Sequence, residues 1–156
     1  MSIKSQDGYV FLSLPVEAFS ALPETITVHE HDLTKKKEFH VTLVHATSIP
    51  ETELTALITD YIKEHPISFV SFTDDLRLAQ EPGRTSVAAR CTVTNLEGLF
   101  DRIEAVHGIR LPLQPAHVSL YVNADRGVGI DSEEQWQSHE KLELPELARL
   151  LRGISI

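Results

Sequence analysis

Two tetrapeptides constrain this chain more than any other feature: His40-Val41-Thr42-Leu43 and His117-Val118-Ser119-Leu120, about half a chain length apart. Each is a histidine, an apolar residue, a hydroxyl residue and a leucine, set in a stretch with strand periodicity. In a strand every second side chain points to the same face. Each tetrapeptide therefore sets an imidazole beside a hydroxyl on one face and turns two apolar side chains to the other. Facing each other, two such strands would offer two imidazoles and two hydroxyls to one ligand. Imidazoles divide base and acid work, and hydroxyls hold an oxyanion.

The rest of the pattern arranges strands and helices around this pair. Residues 8–14 are an apolar run ended by Pro15, a first strand, and 15–24 connect it to a short alternating stretch at 25–30. In 38–44, Phe39, Val41 and Leu43 form one face and His40 and Thr42 the other. Ser48, Pro50 and Glu51 read as a capped helix start, and Leu54, Leu57, Ile58, Tyr61 and Ile62 follow at helical spacing. That helix ends near His65, before Pro66. Residues 67–80 and 84–94 are two strands joined by the turn Glu81-Pro82-Gly83. Thr94 and Glu97 fit a capping box for a second helix, which carries Leu96, Leu99, Phe100, Ile103 and Val106 and closes at Gly108.

In the second motif strand, 116–123, Ala116, Val118, Leu120 and Val122 face inward, and His117, Ser119 and Tyr121 share the other face. Residues 125–140 read as a loop with a short helix around Trp136. A short helix at 145–152 and a closing strand at 154–156 complete the chain. The two halves echo each other. The expectation is one α+β domain over residues 1–156, with two pseudo-symmetric lobes of antiparallel strands and outer helices around a central cleft.

Composition narrows the partners. A hydrophobic fraction of 42% over 156 residues suits one packed domain. No apolar run reaches membrane-spanning length and the first residues lack a secretory apolar core, so no membrane partner and a cytoplasmic location are expected. The formal charge of -9 argues against a grip on duplex DNA but leaves room for a small phosphate ligand in a locally basic pocket. Lys35-Lys36-Lys37 is the one cationic run. It lies just before the first motif, either at the mouth of a site or as a solvated loop. The lone Cys91 rules out an internal disulfide and reads as a buried, inert thiol.

One chemistry that two imidazoles and two hydroxyls can perform without a cofactor or metal is phosphodiester hydrolysis. One histidine takes a proton from water, the other protonates the leaving oxygen, and Thr42 and Ser119 hold the non-bridging oxygens. On these two motifs the chain resembles the 2H phosphoesterase superfamily, which carries two His-x-Thr/Ser-x motifs and includes RNA ligase T-like 2′,3′-cyclic phosphodiesterases. The resemblance spans most of the chain, from Gly8 through the second motif and on towards Ile156. It implies one motif in each of two α+β lobes, with His40 and His117 catalytic and Thr42 and Ser119 binding phosphate.

The activity it implies is metal-independent hydrolysis of 2′,3′-cyclic phosphates of nucleotides or RNA ends to a monoester, by a monomer. The alternatives are a phosphodiesterase for 2′-5′ linkages or other small cyclic nucleotides, and a nucleotide- or RNA-binding module without turnover.

Other residues join with less force. Tyr121 shares the parity of His117 and Ser119 and so could stack on a base or ribose. Arg90 shares its strand's polar face and could hold phosphate or lie on the surface. Arg84 reads as a surface arginine. His45 has the parity of the face opposite His40. His29 and His31 have the spacing of a metal pair but lack a third ligand. Trp136 reads as an anchor that fixes its loop to the core.

Overall fold

The computed structural model describes residues 2–156. Asp7 and Gly8 both adopt positive φ, and this two-residue turn folds strand β1 (Ser2–Gln6) back on β2 (Tyr9–Leu14). β1 was not anticipated from its polar sequence. A 3-10 turn, Val16–Phe19, fills the connector and buries Phe19. Strands β3 (Thr25–Val28) and β4 (His31–Lys35) form a second hairpin. β5 (Phe39–His45) carries the first motif.

Helix α1 (Glu51–Glu64) leads to the long hairpin of β6 (Phe69–Glu81) and β7 (Arg84–Val93), which turns at Gly83 with φ of 77°. Helix α2 (Leu96–His107) ends on a left-handed Gly108, as its sequence predicts. β8 (His117–Val122) carries the second motif. Helix α3 (Glu133–Ser138), the short strand β9 (Glu140–Leu142) and helix α4 (Pro145–Arg152) follow.

The strands form two antiparallel sheets. One has the order β1-β2-β5 and the other β3-β4-β8-β7-β6-β9. The fold is α+β, and each sheet contributes one motif strand. The sheets are unequal, three strands against six, with β5 at an edge and β8 in the interior. They share one apolar core, in which Val41 and Leu43 of β5 and Val118 and Leu120 of β8 are all fully buried. Leu54 and Ile58 of α1, Leu99 and Ile103 of α2, and Leu151 of α4 cover it. Tyr61 ties the two larger helices together by donating its hydroxyl proton to the Asn95 carbonyl at 2.7 Å.

Several local expectations are corrected. Neither capping box forms. α1 starts after Pro50 with no side-chain cap. Thr94 is engaged elsewhere, donating to the Pro66 carbonyl at 2.8 Å and accepting from the Ser68 amide at 2.9 Å. Residues 154–156 form no strand, although Ile154 and Ile156 pack on the core.

The largest departure from simple alternation is a pair of bulges. Consecutive residues Val10 and Phe11 pair with Val44 and Thr42, which leaves Leu43 as an extra residue on β5. Consecutive residues Val87 and Ala88 pair with Tyr121 and Ser119, which leaves Leu120 as an extra residue on β8. Each motif thus ends on a bulged, buried leucine. Beyond it, side chains exchange faces.

Candidate active site

β5 and β8 present their motifs to one cleft of about 520 Å³, whose walls include His40, Thr42, His117 and Ser119. The four residues drawn from the tetrapeptides are therefore brought together, from different sheets. On the β5 side the His40 ring rests tilted against Phe11, with centroids 4.8 Å apart. Phe11 and Tyr9 of β2 form the adjoining wall.

On the β8 side the His117 ring is fixed. Its Nδ1 lies 2.7 Å from the Pro115 carbonyl, which can only accept, so Nδ1 carries the proton and Nε2 is free for the cleft. The ring also lies 5.5 Å from Trp136.

Trp136 anchors its segment as expected. It is fully buried, donates Nε1–H to Asp75 at 2.9 Å, and clusters with Ala79, Ala88, Val128 and Ile130 on the cleft face of the larger sheet. This anchor draws residues 127–131 across Ser119 as a strap, and the Val128 amide donates to Ser86 Oγ. Gly127 is required there. A Cβ on it would stand 2.8 Å from Ser119 Cβ and 2.5 Å from its Oγ.

Burial in the cleft favours the neutral form of both imidazoles. Burial first, then the neighbouring Lys36 and His117, lowers the His40 pKa to about 4. Burial also lowers that of His117, and Arg90 adds to the effect, while the Pro115 carbonyl and Asp131 oppose it. Lys36 lines the cleft and is itself pulled below the usual lysine range by burial. Its amide donates to the carbonyl of the bulged Leu120 at 2.9 Å, which holds it beside the second motif. Its neighbours do other work. Lys35 turns inward to the carbonyls of Phe19 and Leu22, and Lys37 is exposed.

Two residues offered as possible ligand contacts do not line the cleft. Tyr121 is fully buried and donates its hydroxyl proton to the Pro23 carbonyl at 2.7 Å. The bulge at Leu120 moves it from the motif face to the core face. Arg90 pairs with Glu133 at 2.6 Å and lies over Trp136, opening on a second cavity instead.

Conversely, the bulge at Leu43 brings His45 to the motif face, where it stacks on Tyr9 at 3.8 Å and 1°. Arg84, read as a surface residue, lines the cleft, as do Arg126 and Gln114. The turn pair Asp7-Gly8 is the sequence signal that would have found Tyr9 and Phe11. The motif Arg126-Gly127-Val128-Gly129 would have hinted at the strap, and nothing marks Gln114.

The Cys91 thiol, buried and pushed up to about 12, has no nucleophilic character at neutral pH. His29 pairs with Glu140 and His31 with Gln80, so they do not act as a metal pair. Among the described residues no three His, Cys, Asp or Glu side chains group to hold a metal ion, and no helix is long and apolar enough to cross a membrane. Comparison of the chain with protein-family models, curated proteins and solved structures gives no match.

Proposed function

We propose that this chain hydrolyses 2′,3′-cyclic phosphates of nucleotides or RNA ends to a phosphomonoester by acid–base catalysis between two histidines. One observation carries the reading: His40 with Thr42, and His117 with Ser119, reach a single cleft from strands of two different sheets. A chance His-x-Thr/Ser has no reason to meet its repeat across a sheet boundary.

The surroundings divide the roles. Every influence on His40 disfavours its charged form, so it is the general base that takes a proton from the attacking water. His117 has its tautomer fixed by Pro115 and has Asp131 to favour its protonated form, so it is the general acid. Hydroxide character develops on the water as it bonds to phosphorus, and the bond from phosphorus to one ribose oxygen breaks. His117 Nε2–H then protonates that oxygen. Entry of the phosphodiester anion raises both imidazole pKa values and charges His117 for this step. Thr42, Ser119 and Lys36 hold the non-bridging oxygens, where charge collects.

The test is hydrolysis of 2′,3′-cyclic mononucleotides with a chelator present. The expected result is activity that persists, with a bell-shaped pH dependence, and that falls at least ~10²-fold in His40→Ala and in His117→Ala. Full activity in either variant overturns the reading. Tight binding without product, in wild type and His40→Ala alike, would instead establish a binding module.

A further inference from the structure

We propose that Gln114 is a specificity residue of this cleft, its Oε1 accepting a hydrogen bond from an N–H of the ligand's nucleobase. The inference rests on the phosphodiesterase reading. Gln114 directly precedes Pro115, whose carbonyl holds His117, and the residue lines the cleft. It is only 6% exposed, yet its Oε1 is buried with no hydrogen-bond partner. A buried acceptor left unpaired carries its full desolvation penalty, and folded proteins rarely leave one. Among the described residues just one other buried side-chain polar atom is unpaired, Arg84 Nε, and Arg84 lines the same cleft. Two residues that line one cavity thus carry an orphan acceptor and an orphan donor, a pair that complements a polar ligand.

Substrate chemistry selects the donor. In a 2′,3′-cyclic phosphate both vicinal ribose oxygens are esterified and carry no proton. The 5′ oxygen carries one in a mononucleoside substrate and none at an RNA end. The terminal-nucleoside donors common to both substrates belong to the base: the exocyclic amines of adenine, cytosine and guanine, and the ring N–H of guanine and uracil. Gln114 also borders a second cavity of about 600 Å³ beside the start of α2. Gln114 thus borders both the histidine cleft and this second cavity.

The test compares 2′,3′-cyclic phosphates of adenosine and purine riboside, and of cytidine and pyrimidin-2-one riboside. The second member of each pair has no base N–H donor. Steady-state kinetics, direct binding and thermal melting are measured for wild type and Gln114→Leu, with Gln114→Met of matching length should leucine not fit. Wild type should favour the donor-bearing base about tenfold, chiefly in KM, as one hydrogen bond to a buried neutral acceptor predicts. The variant should lose that preference while its melting temperature holds or rises, since an unpaired buried amide has been replaced by an apolar group.

Equal values for the two members of each pair in wild type overturn the proposal. An equal fall in kcat for both members also overturns it, and assigns Gln114 to orienting the attacking water. Lowered melting with the preference intact overturns it in favour of a packing role. Failure of wild type to bind or hydrolyse any of the four compounds removes the phosphodiesterase reading itself, and is seen before any variant is compared.

Discussion

The two motif strands share one local design and differ in almost everything around it. β5 and β8 each place histidine and hydroxyl on the cleft face and end on a bulged, fully buried leucine. β5, however, is the edge of its sheet, and His40 leans on Phe11 beside Lys36. β8 lies between β4 and β7. Its histidine is tied to Pro115, and its serine lies beneath the strap. The tetrapeptide decides where the functional groups point, while the tertiary neighbours decide their protonation and mobility. Two chemically equal histidines thereby become an unequal pair.

The strongest challenge to this contrast removes each imidazole in turn and changes the leaving group. On a cyclic nucleotide, both His40→Ala and His117→Ala should lose about 10²- to 10⁴-fold in kcat/KM. On a nitrophenyl phosphodiester, whose leaving group departs without a proton, the His117→Ala loss should shrink to under about tenfold while that of His40→Ala persists. Equal losses on both substrates, or the opposite order, would break the division into base and acid.

The strap offers a second comparison, confined to the β8 side. Gly127→Ala must push against Ser119, so it should destabilise by about 1–3 kcal/mol and lower kcat/KM about tenfold. Gly129→Ala meets nothing within 4 Å and should match wild type in denaturant melts and turnover. If the two variants behave alike, the strap is not seated on the second motif.

Acid titration sharpens the β5 side. An unfolded histidine takes up a proton near pH 6.5, whereas folded His40 does so only near pH 4. Between these values the unfolded state binds the extra proton, so stability falls as pH drops from 6.5 and levels off below 4. The contribution is at most about 3 kcal/mol. His40→Asn should lose less stability than wild type between pH 7 and pH 4.5 in urea melts. Identical losses would show that His40 is not held neutral.

The smallest expected effect lies just past the second bulge. Tyr121→Phe removes one buried hydrogen bond and should cost about 1 kcal/mol, with kcat/KM unchanged within about twofold. A loss of activity there would return Tyr121 to the ligand.

The motifs were legible because period-two alternation survives any tertiary context so long as the strand is regular. It fails one residue later. Leucine is apolar in either register, so nothing in His-Val-Ser-Leu-Tyr announces that Leu120 is bulged and that Tyr121 belongs to the core. The same silence at Leu43 hid His45 from the cleft face. Lys36 was legible through its position before His40, although only the fold separates its role from those of Lys35 and Lys37. Arg90 was left open between phosphate and surface because its partner Glu133 lies far along the chain. Thr94 was misread because its hydroxyl prefers the carbonyl of Pro66 to its own helix. Gln114 carries no local pattern, and only an unpaired atom in the packed structure singles it out.

Because the histidine strands belong to separate sheets, the gap between the two rings is not set by any repeat spacing of a ladder. It is gauged by hydrocarbon: the packing of the shared core that holds both Leu43 and Leu120 acts like the shim of a vice. Adding or shaving a methylene there would reset the jaw opening for bulkier or slimmer esters, with no reacting group replaced.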